Sequence, residues 1–228
     1  MGVRENLHRV RERVRLAAAR AGRDPREIKI IAVTKQVPVP SIKEALKAGI
    51  ADLGENRVQE MTAKMAELPA GVRWHMIGHL QTNKVKHVVG RVELVHSLDS
   101  LHLAREIDRR SGRLGVVTRA LVQVNVAGEE SKFGVSPAEL PDFLVALQEL
   151  ERVEVCGLMT IAPYVEDPEE VRPVFRELRR LARRLDGRVP RVRLNHLSMG
   201  MTNDFEVAVE EGSDMLRLGT AIFGARIY

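Results

Sequence analysis

The chain has 228 residues, of which 44% are hydrophobic and 29% are charged, a composition typical of globular proteins rather than of disordered or membrane-spanning ones. Its net charge of +5 raises the hypothesis of a nucleic-acid partner, but aromatic residues make up only 4% of the chain, so few side chains can stack on bases. The arginines alternate with glutamates and apolar residues, as in FRELRRLARRLDGR, which is typical of a solvated helix face. We therefore expect no nucleic-acid partner.

The sequence also indicates a cytoplasmic protein without a membrane partner. No apolar run approaches the roughly 18 residues needed to span a bilayer, and the first twenty residues, MGVRENLHRVRERVRLAAAR, contain no apolar signal-peptide core. A single cysteine, Cys156, excludes an internal disulfide and a cysteine-based zinc site. Because it lies in the apolar stretch VEVCGLM, we expect a small buried hydrophobic residue there.

Helical and strand patterns alternate along the chain. The first segment, from Gly2 to about Ala21, has apolar residues at helical spacing, with arginines on the other face. Eight strand patterns follow, separated by helical ones. The predicted strands are Ile28–Thr34, Ile50–Leu53, Arg73–Ile77, Leu94–Ser97, Arg119–Val124, Val153–Met159, Val192–Ser198 and Met215–Leu218.

Three of the helix starts carry local signals. Ser41 with Glu44, and Ser136 with Glu139, have the spacing of capping boxes. Asp167 stands before a proline and two glutamates, which predicts that a helix begins there.

Eight strands, each followed by a helix, favour a single (β/α)8 TIM barrel covering residues 1–228, with an extra N-terminal helix, because right-handed parallel crossovers close at eight. The alternative is an open doubly wound sheet. That fold predicts a glycine-rich phosphate loop after the first strand, and the segment found there, TKQVPVP, does not match one.

Lys35 stands at the carboxyl end of the first predicted strand. Working residues of such barrels lie at the carboxyl ends of the strands, so its amine is expected in the barrel mouth, where partial burial favours the neutral form that attacks a carbonyl. The alternative is a lysine that pairs with a carboxylate at the rim. Position alone does not separate the two.

The last two strands run into glycine-containing loops, LSMGMTND and RLGTAIFGAR. Barrels often bind phosphate with these loops, and here the candidates are Ser198, Gly200, Gly219 and Thr220. Strand eight neighbours strand one in a closed barrel, so this phosphate site lies beside Lys35. Both a pyridoxal 5′-phosphate (PLP) site and an aldolase acting on a sugar phosphate fit this arrangement.

Arg217 helps to separate those two possibilities. A permanent cation facing the pyridine nitrogen of PLP keeps that nitrogen unprotonated, which weakens the ring as an electron sink. The alternative is an arginine in an ion pair at the edge of the core.

Seven segments together resemble one known family: AVTKQ, LGENRVQE, WHMIGHLQTNK, LVQVNVAGEESKFG, GLMTIAP, LSMGMTNDFEVAV and LRLGTAIFGAR. They span Ala32 to Arg226, and they resemble the PLP homeostasis proteins (the YggS/PROSC family), which are similar in fold to the N-terminal barrel of alanine racemase (PLP fold type III). The resemblance implies a PLP-binding role in storage, buffering or delivery of the cofactor. The residues that it implies in cofactor binding are Lys35 as the imine lysine, Arg217 at the pyridine nitrogen, Ser198, Gly200, Gly219 and Thr220 at the phosphate, Asn56 beside the ring, and Met199 in the phosphate loop.

Two further positions have competing interpretations. Lys132, in the ESKFG loop, matches a family lysine with a role in cofactor release or a second PLP contact, and the alternative is a solvated loop lysine. His75 and His79 have a spacing that would suit a metal site on a helix, but the pattern around them is a strand, where alternation separates the two. We expect no metal.

Robust catalysis is not expected. Racemisation needs a second base opposite the lysine, which alanine racemase supplies as a tyrosine from a further β-domain, whereas neither Tyr164 nor Tyr228 lies in a motif that would place one here. A weakly active PLP-dependent racemase stays open as the alternative function, as does a basic adaptor whose binding would be salt-sensitive. The expected partners are PLP and PLP-dependent apo-enzymes, and the expected state is a monomer or weak homodimer.

Overall fold

Eight parallel strands form the centre of the protein. The structure, a computed structural model, describes residues 2–129 and 132–224. The strands pair in chain order and close into a barrel, with β8 beside β1, so the predicted TIM barrel is confirmed. They are β1 (Lys29–Val33), β2 (Asp52–Glu55), β3 (Arg73–Met76), β4 (Leu94–Leu98), β5 (Thr118–Gln123), β6 (Val153–Met159), β7 (His196–Ser198) and β8 (Met215–Leu218).

Helices surround the barrel. The α-helices are α1 (Val3–Arg20), α2 (Val39–Lys47), α3 (Val58–Glu67), α4 (Leu101–Leu114), α5 (Leu140–Leu147), α6 (Arg172–Leu185), α7 (Phe205–Glu210) and α8 (Thr220–Phe223), and short 3₁₀ helices cover Pro25–Glu27, Thr82–His87 and Pro168–Val171. The predicted extra helix is α1, which packs against α7 and α8. Its Asn6 donates a hydrogen bond to the carbonyl of Ile222.

The helix-start signals had different outcomes. Ser136 and Glu139 exchange the hydrogen bonds of a capping box, and the Asp167 carboxylate accepts from the Glu169 N–H at the start of a 3₁₀ turn that leads into α6. The Ser41 prediction was wrong, because α2 already begins at Val39, after Pro38. Proline has its φ preset for the first turn of a helix, so the helix starts before the serine.

Two strands differ from their predicted limits by more than one residue. β2 extends through Gly54 and Glu55, residue types that are rare in strands; here the Glu55 carboxylate is buried against cationic and hydroxyl partners. β7 begins only at His196. The segment before it bonds elsewhere, since the Leu194 N–H donates to the side chain of Asp186.

The apolar core has two parts. The larger one lies between the strands and the helices, and the smaller one combines Ile31, Leu94, Leu121, Cys156, Met159 and Met215 from β1, β4, β5, β6 and β8. Cys156 is buried, so the prediction of a small buried residue there is confirmed, and burial raises the pKa of its thiol to about 11. Within the described ranges, no helix is both long and apolar enough to span a membrane.

Candidate functional site

A cavity of about 480 Å³ opens at the carboxyl ends of the strands. This volume suits a small organic ligand. Its walls come from the ends of β1 and β8 and from the segments that follow β2, β3, β6, β7 and β8. The residues that line it are Val33, Asn56, Ile77, Ile161, Pro163, Tyr164, Val165, Pro168, Met201, Thr202, Asn203, Asp204, Arg217, Gly219 and Thr220.

Lys35 lies just beyond β1, two residues after Val33, and its side chain is half-buried. Its amine makes no hydrogen bond or ion pair with any residue in the described part of the chain. The rim ion pair, which was the alternative for this lysine, is therefore not formed there. Lys35 is not among the residues that line the cavity, but it stands two residues after Val33, which does line it.

A buried ionic cluster holds the backbone immediately before Lys35. The Glu55 carboxylate accepts hydrogen bonds from the Thr34 hydroxyl at 2.6 Å and from the Lys64 ammonium at 2.7 Å, and Lys64 also donates to the Thr34 carbonyl. Burial raises the pKa of Glu55 despite these partners, and its Oε2 atom has no hydrogen bond. The cluster fixes the end of β1, from which the chain turns to present Lys35.

The turn after Lys35 is held as well. Gln36 has φ of 58°, the left-handed region that is uncommon for a residue other than glycine, and its N–H donates to the Glu60 carboxylate. Glu60 also accepts from Lys64 at 2.7 Å. Sequence reasoning missed these supporting residues, although Glu60 and Lys64 have the i, i+4 spacing of an ion pair on a helix.

Asn56 follows β2 and lines the cavity. Its Oδ1 atom is buried and has no hydrogen-bond partner in the parts of the chain described. An unsatisfied buried oxygen is costly unless a ligand or water pairs with it. Gly78 packs against this residue so closely that a β-carbon there would lie 2.4 Å from the Asn56 carbonyl oxygen.

Arg217 reaches the cavity from β8 and is only 4% exposed. Its Nη1 donates to the Ser198 hydroxyl at 2.6 Å and its Nη2 to the Thr160 carbonyl at 2.8 Å. Burial lowers the pKa of this guanidinium to about 10, so it remains a cation at neutral pH. The recorded partners of Arg217 are a hydroxyl and a carbonyl, so the ion pair considered for it is not formed within the described residues.

The predicted phosphate residues separate into two groups. Gly219 and Thr220 line the cavity, whereas the Ser198 hydroxyl lies beneath it, engaged by Arg217 and His96. Met199 is fully buried and its N–H donates to the Met215 carbonyl.

Gly200 has a packing reason for being glycine. Its φ is 94°, and a β-carbon would lie 2.6 Å from that of Ala208 in α7. Thr202 was missed by the sequence reasoning. It lines the cavity, and its hydroxyl accepts the Ala221 N–H at 3.1 Å, which joins the two loops.

Three other positions clarify the sequence-based alternatives. Tyr164 lines the cavity but is 82% exposed, and Tyr228 lies outside the described residues. Lys132 is exposed and does not line the cavity, which favours the solvated-loop interpretation. Beside it, Phe133 stacks on His79 at 3.9 Å between ring centroids.

His75 lies inside the barrel rather than at its mouth. It is fully buried and bonds to Asp52 at 3.0 Å and to His96 at 2.9 Å, while His79 bonds to Asp99 at the rim. The two histidines therefore do not form a joint site. Among residues 2–129 and 132–224, no three His, Cys, Asp or Glu side chains are grouped so that they could hold a metal ion.

The fold and the cavity have counterparts in known proteins. The family described as "Alanine racemase, N-terminal domain" matches residues 6–227. The pyridoxal phosphate homeostasis protein of Aquifex aeolicus (strain VF5) is 48% identical over 229 residues, covering 100% of both chains.

Two solved structures extend the comparison. PipY of Synechococcus elongatus PCC7942, solved with PLP bound, has a TM-score of 0.81 and 39% identity, covering 94% of this chain and 100% of its own. An alanine racemase of Clostridium difficile 630 has a TM-score of 0.79 at 16% identity and is similar in fold alone, this chain covering 57% of its length. The chain belongs to the alanine racemase N-terminal-domain family and, within it, to the pyridoxal phosphate homeostasis proteins.

Proposed function

We propose that this protein binds PLP in the cavity and holds it for storage, buffering or delivery. The observation that carries the proposal is that a buried cation, that of Arg217, and an unsatisfied buried amide, that of Asn56, line one cavity. Lys35, whose amine has no partner among the described residues, stands two residues after Val33, which also lines this cavity. PLP offers an aldehyde, a ring nitrogen and a phosphate, which are the groups that such a donor set accommodates. The relatives with the same barrel are pyridoxal phosphate homeostasis proteins, and PipY has been solved with PLP bound.

Each residue has a separate proposed task. The Lys35 amine condenses with the aldehyde, forming a C=N bond and releasing one water molecule. Arg217 donates toward the ring nitrogen and, as a cation, cannot surrender a full proton to it at neutral pH. Gly219 and Thr220 form the phosphate side of the cavity, joined by Ser198, Met199 and Gly200 in the loop beneath, and Asn56 pairs with a polar substituent of the ring.

The proposal is a carrier rather than a robust catalyst. A bound aldehyde supplies an electron sink for amino-acid chemistry, and an arginine at the ring nitrogen weakens that sink. Exchange of Lys35 for another amine then releases the cofactor. The proposed recipients of the cofactor are PLP-dependent apo-enzymes. The protein acts in the cytoplasm, as a monomer or weak homodimer.

Covalent binding is tested by absorption spectroscopy with borohydride. The wild type, mixed with PLP, should gain a visible band that borohydride bleaches, and mass spectrometry should find the reduced cofactor on the peptide that contains Lys35. Lys35→Ala should lose both signals, while Lys132→Ala, a matched lysine outside the cavity, should keep them. A colourless wild type that takes up no PLP would contradict the proposal.

Delivery needs its own experiment. In one sample, a dialysis membrane separates the PLP-loaded protein from a PLP-dependent apo-enzyme. In a parallel sample, the two proteins are mixed directly. Faster activation on contact supports direct transfer, equal rates limit the role to buffering by release, and no activation over hours would rule out delivery.

A further inference from the structure

A continuous chain of hydrogen bonds runs through the inside of the barrel. We call it the interior chain; its members, in order, are Asp52, His75, His96, Ser198 and Arg217. The successive distances are 3.0, 2.9, 2.9 and 2.6 Å. All five residues are at most 6% exposed, so no link is open to bulk water.

The chain crosses the barrel rather than following its wall. His96 belongs to β4 and Ser198 to β7, and these strands are not neighbours in the closed barrel. Their hydrogen bond therefore passes through the interior. Asp52 stands at the start of β2, at the end of the barrel opposite the cavity, and Arg217 lines the cavity. The chain connects the two ends.

The chemistry of the members gives every bond one direction. The Asp52 carboxylate only accepts, so His75 donates through Nε2–H. A neutral His75 then accepts at Nδ1 from His96 Nε2–H, and His96 accepts at Nδ1 from the Ser198 hydroxyl. The single hydroxyl proton of Ser198 is used in that bond, which leaves its oxygen free to accept from Arg217.

Two physical effects stabilise this arrangement. Burial lowers the pKa of His96 well below its ordinary value, helped by nearby His75 and Arg217, and burial lowers that of His75 although Asp52 opposes the shift. Both rings are therefore neutral at pH 7. Burial alone would raise the pKa of Asp52, but hydrogen bonds from His75 and Arg73 lower it overall, so the carboxylate stays ionised.

We propose that His75 and His96 are positioning residues that orient the Arg217 guanidinium for the cofactor ring, with the charge on Asp52 setting the direction of the interior chain. The inference rests on the proposed function. If His96 carried its proton on Nδ1, its Nε2 and the Nδ1 of His75 would face each other as two acceptors, and the Ser198 hydroxyl proton would lose its acceptor on His96. The ionised Asp52 prevents this by requiring the Nε2–H form of both rings.

The test compares the interior chain with a second His–Asp pair of the barrel. His196 and Asp214 bond at 2.6 Å and belong to no part of the chain, so His196→Leu and Asp214→Asn are matched controls for His96→Leu and Asp52→Asn. Each variant is titrated with PLP, and the affinity and absorption maximum of the bound form are measured. His96→Leu loses a buried hydrogen bond that supports a charged group, so its affinity for PLP should fall by about tenfold and the absorption maximum of the bound form should shift. The affinities of both controls should stay within about twofold of the wild-type affinity.

A second measurement does not need PLP. Nitrogen-15 spectra of histidine-labelled protein report which ring nitrogen carries the proton, and both His75 and His96 should be neutral with the proton on Nε2. Asp52→Asn should change the His96 signals, although the two residues do not touch, and should also shift the absorption band of bound PLP. Asp52→Asn retains a side chain of the same shape, so it still tests the positioning role if His96→Leu does not fold.

The outcomes separate the two proposals. If the wild type binds PLP and both His96→Leu and Asp52→Asn bind it with the same affinity and absorption maximum, the positioning role alone is overturned. A proton found on His96 Nδ1 would also overturn that role. A wild type that does not bind PLP would overturn both.

Discussion

The two ends of the barrel use charged residues in different ways. At the amino end, Asp52 is surrounded by partners: Arg73 donates two hydrogen bonds to it, Lys29 lies 3.5 Å away, and His75 donates from inside. At the carboxyl end, neither the Lys35 amine nor the buried Asn56 Oδ1 atom has a partner among the described residues.

The difference teaches where the fold keeps capacity for a ligand. Polar groups around Asp52 at the amino end are satisfied by one another, so they stabilise the start of the interior chain rather than bind a ligand. Those at the carboxyl end leave hydrogen-bonding capacity that only a ligand or water can use, which is the division expected for enzymes and binding proteins built on this barrel. Yet the carboxyl end also holds a buried ion-pair cluster, Lys64 with Glu55 and Glu60, which fixes the backbone on both sides of the half-buried Lys35.

The largest effect is expected from Lys64→Met, which breaks this cluster. Removing one partner of a buried ion pair leaves Glu55 without its cation, and the free energy of unfolding should fall by about 3–5 kcal/mol, measured by urea denaturation. Lys29→Met is the control at the other end: that lysine is partly exposed and 3.5 Å from Asp52, so its loss should cost less than about 1 kcal/mol. Equal losses would mean that the two ends do not differ in this respect.

Two glycines from the predicted phosphate loops should behave differently. Gly200→Ala combines a positive φ with a β-carbon 2.6 Å from that of Ala208, and should cost about 3 kcal/mol of stability. At Gly219 the nearest atom would be 3.6 Å away, an ordinary contact, so Gly219→Ala should fold normally, with less than about 1 kcal/mol lost. The added methyl group lies at the cavity and should weaken PLP uptake. Thermal denaturation with a PLP titration measures both, and normal PLP affinity in a stable Gly219→Ala would exclude close approach of the phosphate there.

Asp52 and Asp204 should give opposite pH dependences. The folded-state pKa of Asp52 lies below its ordinary 3.8, so its ionised form stabilises the fold above that pH, and the contribution is lost as the pH falls through the folded value. Asp52→Asn should therefore lower the free energy of unfolding by about 2 kcal/mol at pH 7, with the deficit shrinking below about pH 4.

Burial raises the pKa of Asp204, although the Met201 N–H and the charge of Arg217 lower it in part, so ionisation costs stability at neutral pH. Asp204→Asn should equal or exceed the wild type at pH 7, and this advantage should vanish as the pH falls through the raised value. The midpoints of urea denaturation, measured from pH 3 to pH 8, would distinguish the pH dependences of the two variants. Parallel curves for the two variants would contradict the assignment.

The smallest effect is expected from Tyr164→Phe. The tyrosine lines the cavity, but it is 82% exposed and no hydrogen bond of its hydroxyl is recorded in the described part of the chain. Stability should change by less than about 0.5 kcal/mol, and exchange of the α-proton of alanine in D₂O with PLP present should be as slow as in the wild type. Exchange that is measurable in the wild type and lost in the variant would revive the racemase alternative.

Local signals predicted the fold well, because the strands and helices carry clear apolar periodicity. The errors came at positions where a neighbour outweighs propensity. Pro38 leads the chain into α2 before Ser41 can cap it, and Glu55 belongs to a strand because Lys64 and Thr34 neutralise its buried carboxylate.

The site was predicted in part. Four predicted residues line the cavity, namely Asn56, Arg217, Gly219 and Thr220, and Lys35 stands just beyond β1 without lining it. They could be named because strand ends and family motifs are visible in the sequence.

His96 could not be named, because its partners come from other strands. Glu60 and Lys64 share a visible i, i+4 spacing, but their contacts with Gln36, Thr34 and Glu55 come from other elements.

The sequence by itself determined the eight strands, the lysine after the first strand and the glycine loops after the last two, since each depends on residues near one another in the chain. Tertiary structure alone decided that the Ser198 hydroxyl faces Arg217 and His96 beneath the cavity. It also decided that Asp52, at one end of the barrel, is joined to Arg217 at the other. The reason is that barrel closure brings β4 opposite β7, and a hydrogen bond across that interior depends on distances that no local pattern encodes.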